Sequence, residues 1–269
     1  MKKLLLACLV LTSVSVLGQI ETDRPDFTES PNVVPKGALQ VETGFVLQND
    51  KESVVAGSME GYRKLRTTTF NTTLLRYGIT DKLEARLNWN AEEIKVTEFS
   101  HPLINPAPSM FDPVNGVGPI FIGLKANLYQ SEKVSIGMLS HLYLPWAATT
   151  NNKASFVAPE FLIPCSIDIT DRIGIAFQYG LTWDGETPNP ITSYTFALGI
   201  GLTDQLSFYF EPYGFLTNSG DELHLINGGF TYLVNDNLQL DLTGGVGLNE
   251  IAPDNFVNAG VSFLILNDK

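Results

Sequence analysis

The chain has 269 residues, a formal net charge of -12, 44% hydrophobic residues and only 17% charged ones, with 23 glycines. Soluble domains carry about 25% charge, so glycine and small polar side chains have taken the place of ions here. The acidity excludes a nucleic-acid partner, which needs clustered Lys and Arg, while the hydrophobicity excludes disorder and the 2 cysteines exclude a disulfide-stapled fold.

In chain order, Met1-Lys2-Lys3 is a basic start and Leu4 to Leu17 an apolar run, followed by small residues up to Gly18. Residues 1–18 therefore read as an export signal cleaved after Gly18, since the run is shorter than the ~20 residues of a spanning helix. Gln19 stands where a lipoprotein needs Cys. Cys8 leaves with the signal, so Cys165 is alone, on the parity of Phe161 and Ile163, where it reads as a small lipid-facing hydrophobe. Residues 19–37 are polar and read as a periplasmic tail or a plug for a lumen.

From residue 38 to 266 the pattern has period two. Leu83, Ala85, Leu87, Trp89 and Ala91 alternate with Glu84, Arg86, Asn88, Asn90 and Glu92, and similar alternation follows Ile120, Ile173 and Leu238. One face is greasy and the other polar or small, which suits a sheet with lipid on one side and water on the other. A turn motif repeats as Ile79-Thr80-Asp81-Lys82-Leu83, Ile169-Thr170-Asp171-Arg172-Ile173 and Leu202-Thr203-Asp204-Gln205-Leu206, and more loosely as Val234-Asn235-Asp236-Asn237-Leu238. Asp and Asn suit such turns because their side chains bond nearby backbone. Longer connections, Asn49 to Lys64 and Val96 to Gly118 among them, alternate with these turns. The rhythm is that of an all-β transmembrane antiparallel up-and-down β-barrel of about twelve strands, with short periplasmic turns and longer external loops.

The strands are expected to begin near Ala38, Leu65, Leu83, Pro119, Val134, Val157, Ile173, Thr192, Leu206, His224, Leu238 and Phe256. Leu65 to Tyr77 leaves its facing open, with Thr on odd positions and Arg on even ones. Pro159, Pro164 and Pro212 are expected to mark bulges or bends, because proline cannot donate to a ladder. A soluble β-sandwich would explain alternation, but neither the loop rhythm nor the low charge.

The opening Glu21-Thr22-Asp23-Arg24-Pro25-Asp26-Phe27-Thr28-Glu29-Ser30, then Val34-Pro35-Lys36-Gly37 and Leu39-Gln40-Val41-Glu42-Thr43-Gly44-Phe45, resembles the start of a family of outer-membrane transporters, the MetA-pathway of phenol degradation family. The closing Asn258-Ala259-Gly260-Val261-Ser262-Phe263 is similar too. The resemblance implies uptake or export of small compounds, aromatic ones among them. In one departure from many outer-membrane barrels, the chain continues from Leu264 to Lys269 after the aromatic Phe263.

No catalytic constellation stands out. His101, His141 and His224 pair with no Ser by spacing, and no His/Cys/carboxylate pattern suggests a metal or another cofactor. Asn71-Thr72-Thr73 matches a glycosylation acceptor, a coincidence on the strand of a bacterial-type barrel. Parity sends Glu42, Glu84, Arg86, Glu92, Lys125, His141, Glu160, Asp168, Glu211 and Asp241 into the lumen, with Arg66 and Arg76. Buried charge persists only when paired or wet, so these residues form either a hydrated filter or a bracing network. Asp23, Arg24 and Asp26 would meet that wall if residues 19–37 entered the lumen, with Glu42 or Glu84 as acceptors for Arg24. The expected partners are outer-membrane lipid and a small solute. The expected activity is a narrow channel, against a non-conducting barrel for surface contact or envelope structure and, third, an outer-membrane enzyme.

Overall fold

The computed structural model describes residues 19–118, 120–149, 153–217, 220 and 222–266. The expected export signal, Met1 to Gly18, lies outside the described residues. The strands are β1 (Leu39–Ala56), β2 (Met59–Thr80), β3 (Leu83–Ser100), β4 (Val114–Val117), β5 (Ile120–Gln130), β6 (Val134–Leu144), β7 (Ala158–Thr170), β8 (Ile173–Thr182), β9 (Ile191–Gly201), β10 (Leu206–Leu216), β11 (Glu222–Asn235), β12 (Leu238–Gly247) and β13 (Asn255–Ile265). Apart from β4, each pairs antiparallel with the next around the wall, β3 with β5. The ladder Leu39↔Ile265 to Asn49↔Asn255 closes β1 on β13, while short β4 lies beside β3 outside the circuit, leaving a closed 12-strand barrel.

Alternation fixes which side of each strand meets lipid. Leu240 (44% exposed), Leu242 (54%) and Leu124 (48%) project outward, while their neighbours Asp241 and Lys125 are buried. A continuous apolar exterior of this kind would aggregate in water; against a bilayer it is the stable face. The interior is polar. Among its most completely buried side chains are Arg76, Lys125, Gln40, Glu42, Glu84 and Glu211. A small apolar cluster of Ile20, Val34, Ala38 and Leu264 lies at the end that carries the Thr-Asp turns. Leu264 therefore belongs to the last strand, which runs on past Phe263 to Ile265.

Asn49 to Lys64 is not a loop but a β1–β2 hairpin, paired from Asn49↔Arg66 to Ala56↔Met59 around Gly57, whose φ is 63°. Its charges suggest a loop, yet they pair across strands: Arg63 meets Glu52 at 2.5 Å and Lys64 meets Glu98 at 2.6 Å. A bulge explains the ambiguous facing of β2. Asn71 adopts φ 54° where the β2–β3 register shifts between Phe70 and Thr73. Below it, Leu74 and Arg76 are buried; above it, Phe70 is exposed and packs edge-on against outward-facing Phe45. Arg66 therefore falls on the outer face, exposed, donating to Asn49 at 3.1 Å, and not in the lumen.

The three prolines shift no register. Opposite Pro164 and Pro212 the ladder lapses for a step, between Ile136↔Cys165 and Leu139↔Leu162 and between Phe210↔Leu198 and Tyr213↔Thr195, then resumes in phase. Cys165 keeps its outward parity but is buried, flanked across the ladders by the larger Ile136 and Phe177.

Candidate functional site

β2 and β3 place Arg76 and Arg86 directly opposite each other, and β3 and β5 do the same with Glu84 and Lys125. Facing arginines repel unless an anion lies between them. Two carboxylates supply it. Glu84 from the wall lies 2.9 Å from Arg76 and 3.0 Å from Arg86. Asp23 comes from the N-terminal segment and lies 3.1 Å from Arg76, 2.6 Å from Arg86 and 2.6 Å from Lys125. Glu42 completes the group, 3.0 Å from Arg76. Glu29 closes on Arg86 with both oxygens, at 3.0 and 2.9 Å.

The same segment satisfies its own backbone on wall carboxylates, as buried amides must. Asp23 N donates to Glu42 at 3.1 Å, Val34 N to Glu84 at 2.8 Å, and Phe27 N and Thr28 N to Glu211 at 2.9 and 2.8 Å. Glu29 N reaches Gln178 on β8 at 3.1 Å. Arg24 turns away from the suggested Glu42 and Glu84, both held by Arg76, and forks onto Asp241 of β12 at 3.2 and 3.0 Å. Its Nη2 also donates to Asn258 at 2.6 Å and Nη1 to Thr72 at 3.1 Å. The guanidinium rests against Gly44 and Gly260, which face each other across β1 and β13, and a methyl on either would collide with it. Gly78 and Gly137 give similar clearance to Pro35 and Pro31.

Burial works to raise the Asp23 carboxyl, but Arg76, Lys125 and Arg86 outweigh it and hold the group well below the usual carboxylate range. Burial, with the charge of Asp23 adding to it, pushes Glu29 up to about 8 against the pull of Arg86 and Lys125. Half-buried Asp26 is driven well above its ordinary value by burial and by facing Glu211.

The remaining expected residues lie apart from this cluster. His141 Nδ1 is 2.8 Å from Glu160, which accepts from Thr182 at 2.9 Å. Glu92 is buried higher on β3, whereas Asp168 is exposed beside Asp26 at a recess of about 350 Å³ lined with glycine and alanine of β8 and β9. Sequence reasoning did not single out Glu29, Thr28, Gln178 or the wall glycines. The facing pair Gly44 and Gly260, small residues on the inward parity of neighbouring strands, is the signal that could have located the Arg24 seat. Among the described residues, no group of three His, Cys, Asp or Glu side chains could hold a metal ion.

Of the cavities that flank the segment, two carry aromatic rings. One of about 190 Å³ is apolar, with Phe27 stacked on Tyr213 at 4.3 Å and Phe215 and Phe256 nearby. The other, of about 170 Å³, lies against Arg86, Phe121 and His141.

In fold the barrel is similar to an outer membrane channel from Pseudomonas putida F1, with a TM-score of 0.61 at 12% identity over 91% of this chain and 100% of that one. It is also similar to the NanC porin, with a TM-score of 0.50 at 12% identity over 84% of this chain and 98% of that one. No curated protein matches the chain by sequence. From residue 22 to residue 265 the sequence matches the family described as "Putative MetA-pathway of phenol degradation", and the chain belongs to that family.

Proposed function

We propose that the protein is an outer-membrane channel for small solutes, apolar ring-bearing ones among them, and that residues 19–37 are its plug. The observation that carries this reading is the grip of one short segment on strands from opposite stretches of the wall. Asp23 and Glu29 hold β2, β3 and β5, while Arg24 holds β12 and the amides of Phe27 and Thr28 hold β10. Eight strands fill their own interior and ~16 leave an open channel, so a barrel of this size needs only a short insert to narrow it. The apolar recess beside Phe27 gives an uncharged ring a place on the plug's flank. The fold likeness to an outer membrane channel supports the reading.

The segment enters from the end that carries the tight turns, where Ile20 N donates to Asp236 O at 2.7 Å and Lys36 bridges to Gly78. That end is periplasmic in this reading. A protease added to intact cells then cuts a tag inserted within residues 96–118 and spares one at Asp204; the opposite result reverses the orientation.

The decisive experiment is planar-bilayer conductance and liposome swelling of the purified barrel beside a variant lacking residues 19–32. The deletion should assemble normally, by heat-modifiable migration, and conduct more. Equal conductance would make the segment a tail. Silence from both proteins, in current and in swelling, would favour a non-conducting barrel.

A further inference from the structure

Arg66 and Lys95 stand directly opposite each other on β2 and β3, and both are exposed. Inside the barrel the facing Arg76 and Arg86 share the carboxylate of Glu84. On the outer face the chain supplies no such anion. Among the described residues Lys95 makes no ion pair or hydrogen bond, and Arg66 donates only through Nε, to Asn49 at 3.1 Å. Asn49 is in turn bonded to Asn255 at 2.9 Å, so the guanidinium is anchored along one edge and keeps both terminal nitrogens free. Lys95, Arg66, Asn49 and Asn255 are successive partners across β3, β2, β1 and β13 and form one row. Two acids of β3 share this face. Glu98 is already paired with Lys64 at 2.6 Å, while Glu93 lies one row nearer the apolar belt, opposite Thr68, in no ion pair with either cation. Two cations against one acid leave the row positive, in a chain whose net charge is -12. Further out, Lys51 lies among Glu60, Glu250 and Asp254, so the hairpin tip has no surplus of positive charge.

The height of the row identifies the anion. The next row towards the membrane carries Leu47 and Val257, and the one after it Phe45 and Phe70, all on the lipid-facing side. Arg66 and Phe70 are four residues apart on one strand, about 13 Å, a span that one amphiphile covers with its headgroup on the row and its chains on the rings. A guanidinium with two free amino groups matches two oxygens of a phosphate as a fork, and a neighbouring ammonium adds a point charge. We propose that Arg66 and Lys95 bind the phosphate of an outer-leaflet lipid whose acyl chains lie on Leu47, Val257, Phe45 and Phe70. The inference rests on the orientation given above, which places the long hairpin outside the cell, and is independent of what the lumen conducts.

The test counts lipid bound to the purified full-length barrel by native mass spectrometry in a neutral detergent. The probes are lipid A with its two phosphates, the same lipid with the phosphates removed, and inorganic phosphate. The phosphorylated lipid should bind about ten-fold more tightly than the dephosphorylated one, the ratio expected of one hydrogen bond to a charged group. Arg66→Gln combined with Lys95→Gln should abolish that preference. Lys133→Gln, which removes an exposed cation at the tight-turn end, should keep it, with heat-modifiable migration confirming assembly of each variant. A preference that survives the double variant, or that Lys133→Gln loses equally, overturns the proposal. Inorganic phosphate that displaces the lipid at equal concentration makes the row a free-anion site and overturns the lipid assignment. The protease test above separates this inference from the reading it rests on. If the tag within residues 96–118 is cut and no preference is found, the row alone falls. If that tag is protected, the orientation falls and takes the outer leaflet with it.

Discussion

Arg24 is the most exacting contact in the lumen, because it satisfies three wall residues from a seat two glycines wide. Its fork matches Asp241 in a way the single ammonium of lysine cannot. Arg24→Ala leaves Asp241 buried and unpaired, and removing one partner of a buried pair costs about 3–5 kcal/mol. The wall is otherwise untouched, so that cost falls on the docked plug. The variant should assemble as the parent does and show raised conductance, with Arg24→Lys in between. Gly260→Ala tests the same seat without altering a charge: the added methyl meets the flexible end of Arg24 and should displace it. Gly199→Ala, whose methyl would come no nearer than 3.9 Å to its closest neighbour, is the control. Parent-like conductance in Gly260→Ala would sink the glycine seat.

Among the elements, β2 depends on a single residue for its change of face. Asn71 holds φ 54°, which Gly and Asn adopt readily and β-branched residues do not. Asn71→Gly should leave stability near the parent value, whereas Asn71→Val should lose about 1–2 kcal/mol in urea unfolding of the lipid-embedded barrel. Equal midpoints would mean that the bulge imposes no strain. On β12 the two faces can be separated at adjacent positions. Leu240→Arg places a charge in lipid at a cost of roughly 2–4 kcal/mol near the midplane. Asp241→Arg should assemble but set two cations face to face, releasing Arg24 and raising conductance. Similar assembly defects in both would refute the facing. These elements also show where the sequence is transparent. The strands starting at Leu83, Ile173 and Leu238 are legible because alternation and a copy of the repeated turn agree at each start. β2 is not, because a one-residue bulge breaks the parity on which such reading depends. The β1–β2 hairpin is not, because charges that pair across strands look like loop composition until the partner is known. The seat of Arg24 on Asp241 spans 217 residues and leaves no periodic trace.

For the whole molecule, the plug and its wall form one acid–base system with a surplus acid. Asp23, Glu29, Glu42 and Glu84 face Arg76, Arg86 and Lys125, four carboxylates to three cations. Asp23 touches all three cations, whereas Glu29 bonds Arg86 and approaches Lys125 only to 3.6 Å. Glu29 is therefore the acid that takes the extra proton: burial and then the charge of Asp23 lift it from 4.5 to about 8, against Arg86 and Lys125. Asp26 is raised too, by burial and then by Glu211, Asp23 and Glu29. Asp23 moves the other way. The signs follow from linkage. A raised carboxyl favours the docked plug below its ordinary value, and that contribution is lost as pH rises through the docked value. The contribution of Asp23 is present above its ordinary 3.8 and is lost only in stronger acid. Docking should therefore weaken from about pH 5 to about pH 8, and conductance should climb over that range. Glu29→Gln keeps the shape and removes the titration, so its curve should flatten between about pH 5 and pH 8 while Asp26 leaves a residual slope. Asp26→Asn combined with Glu29→Gln should remove most of the remainder. A conductance that falls as pH rises, or a Glu29→Gln curve superimposable on the parent's, would show that the plug is held by geometry alone and not by the proton on Glu29.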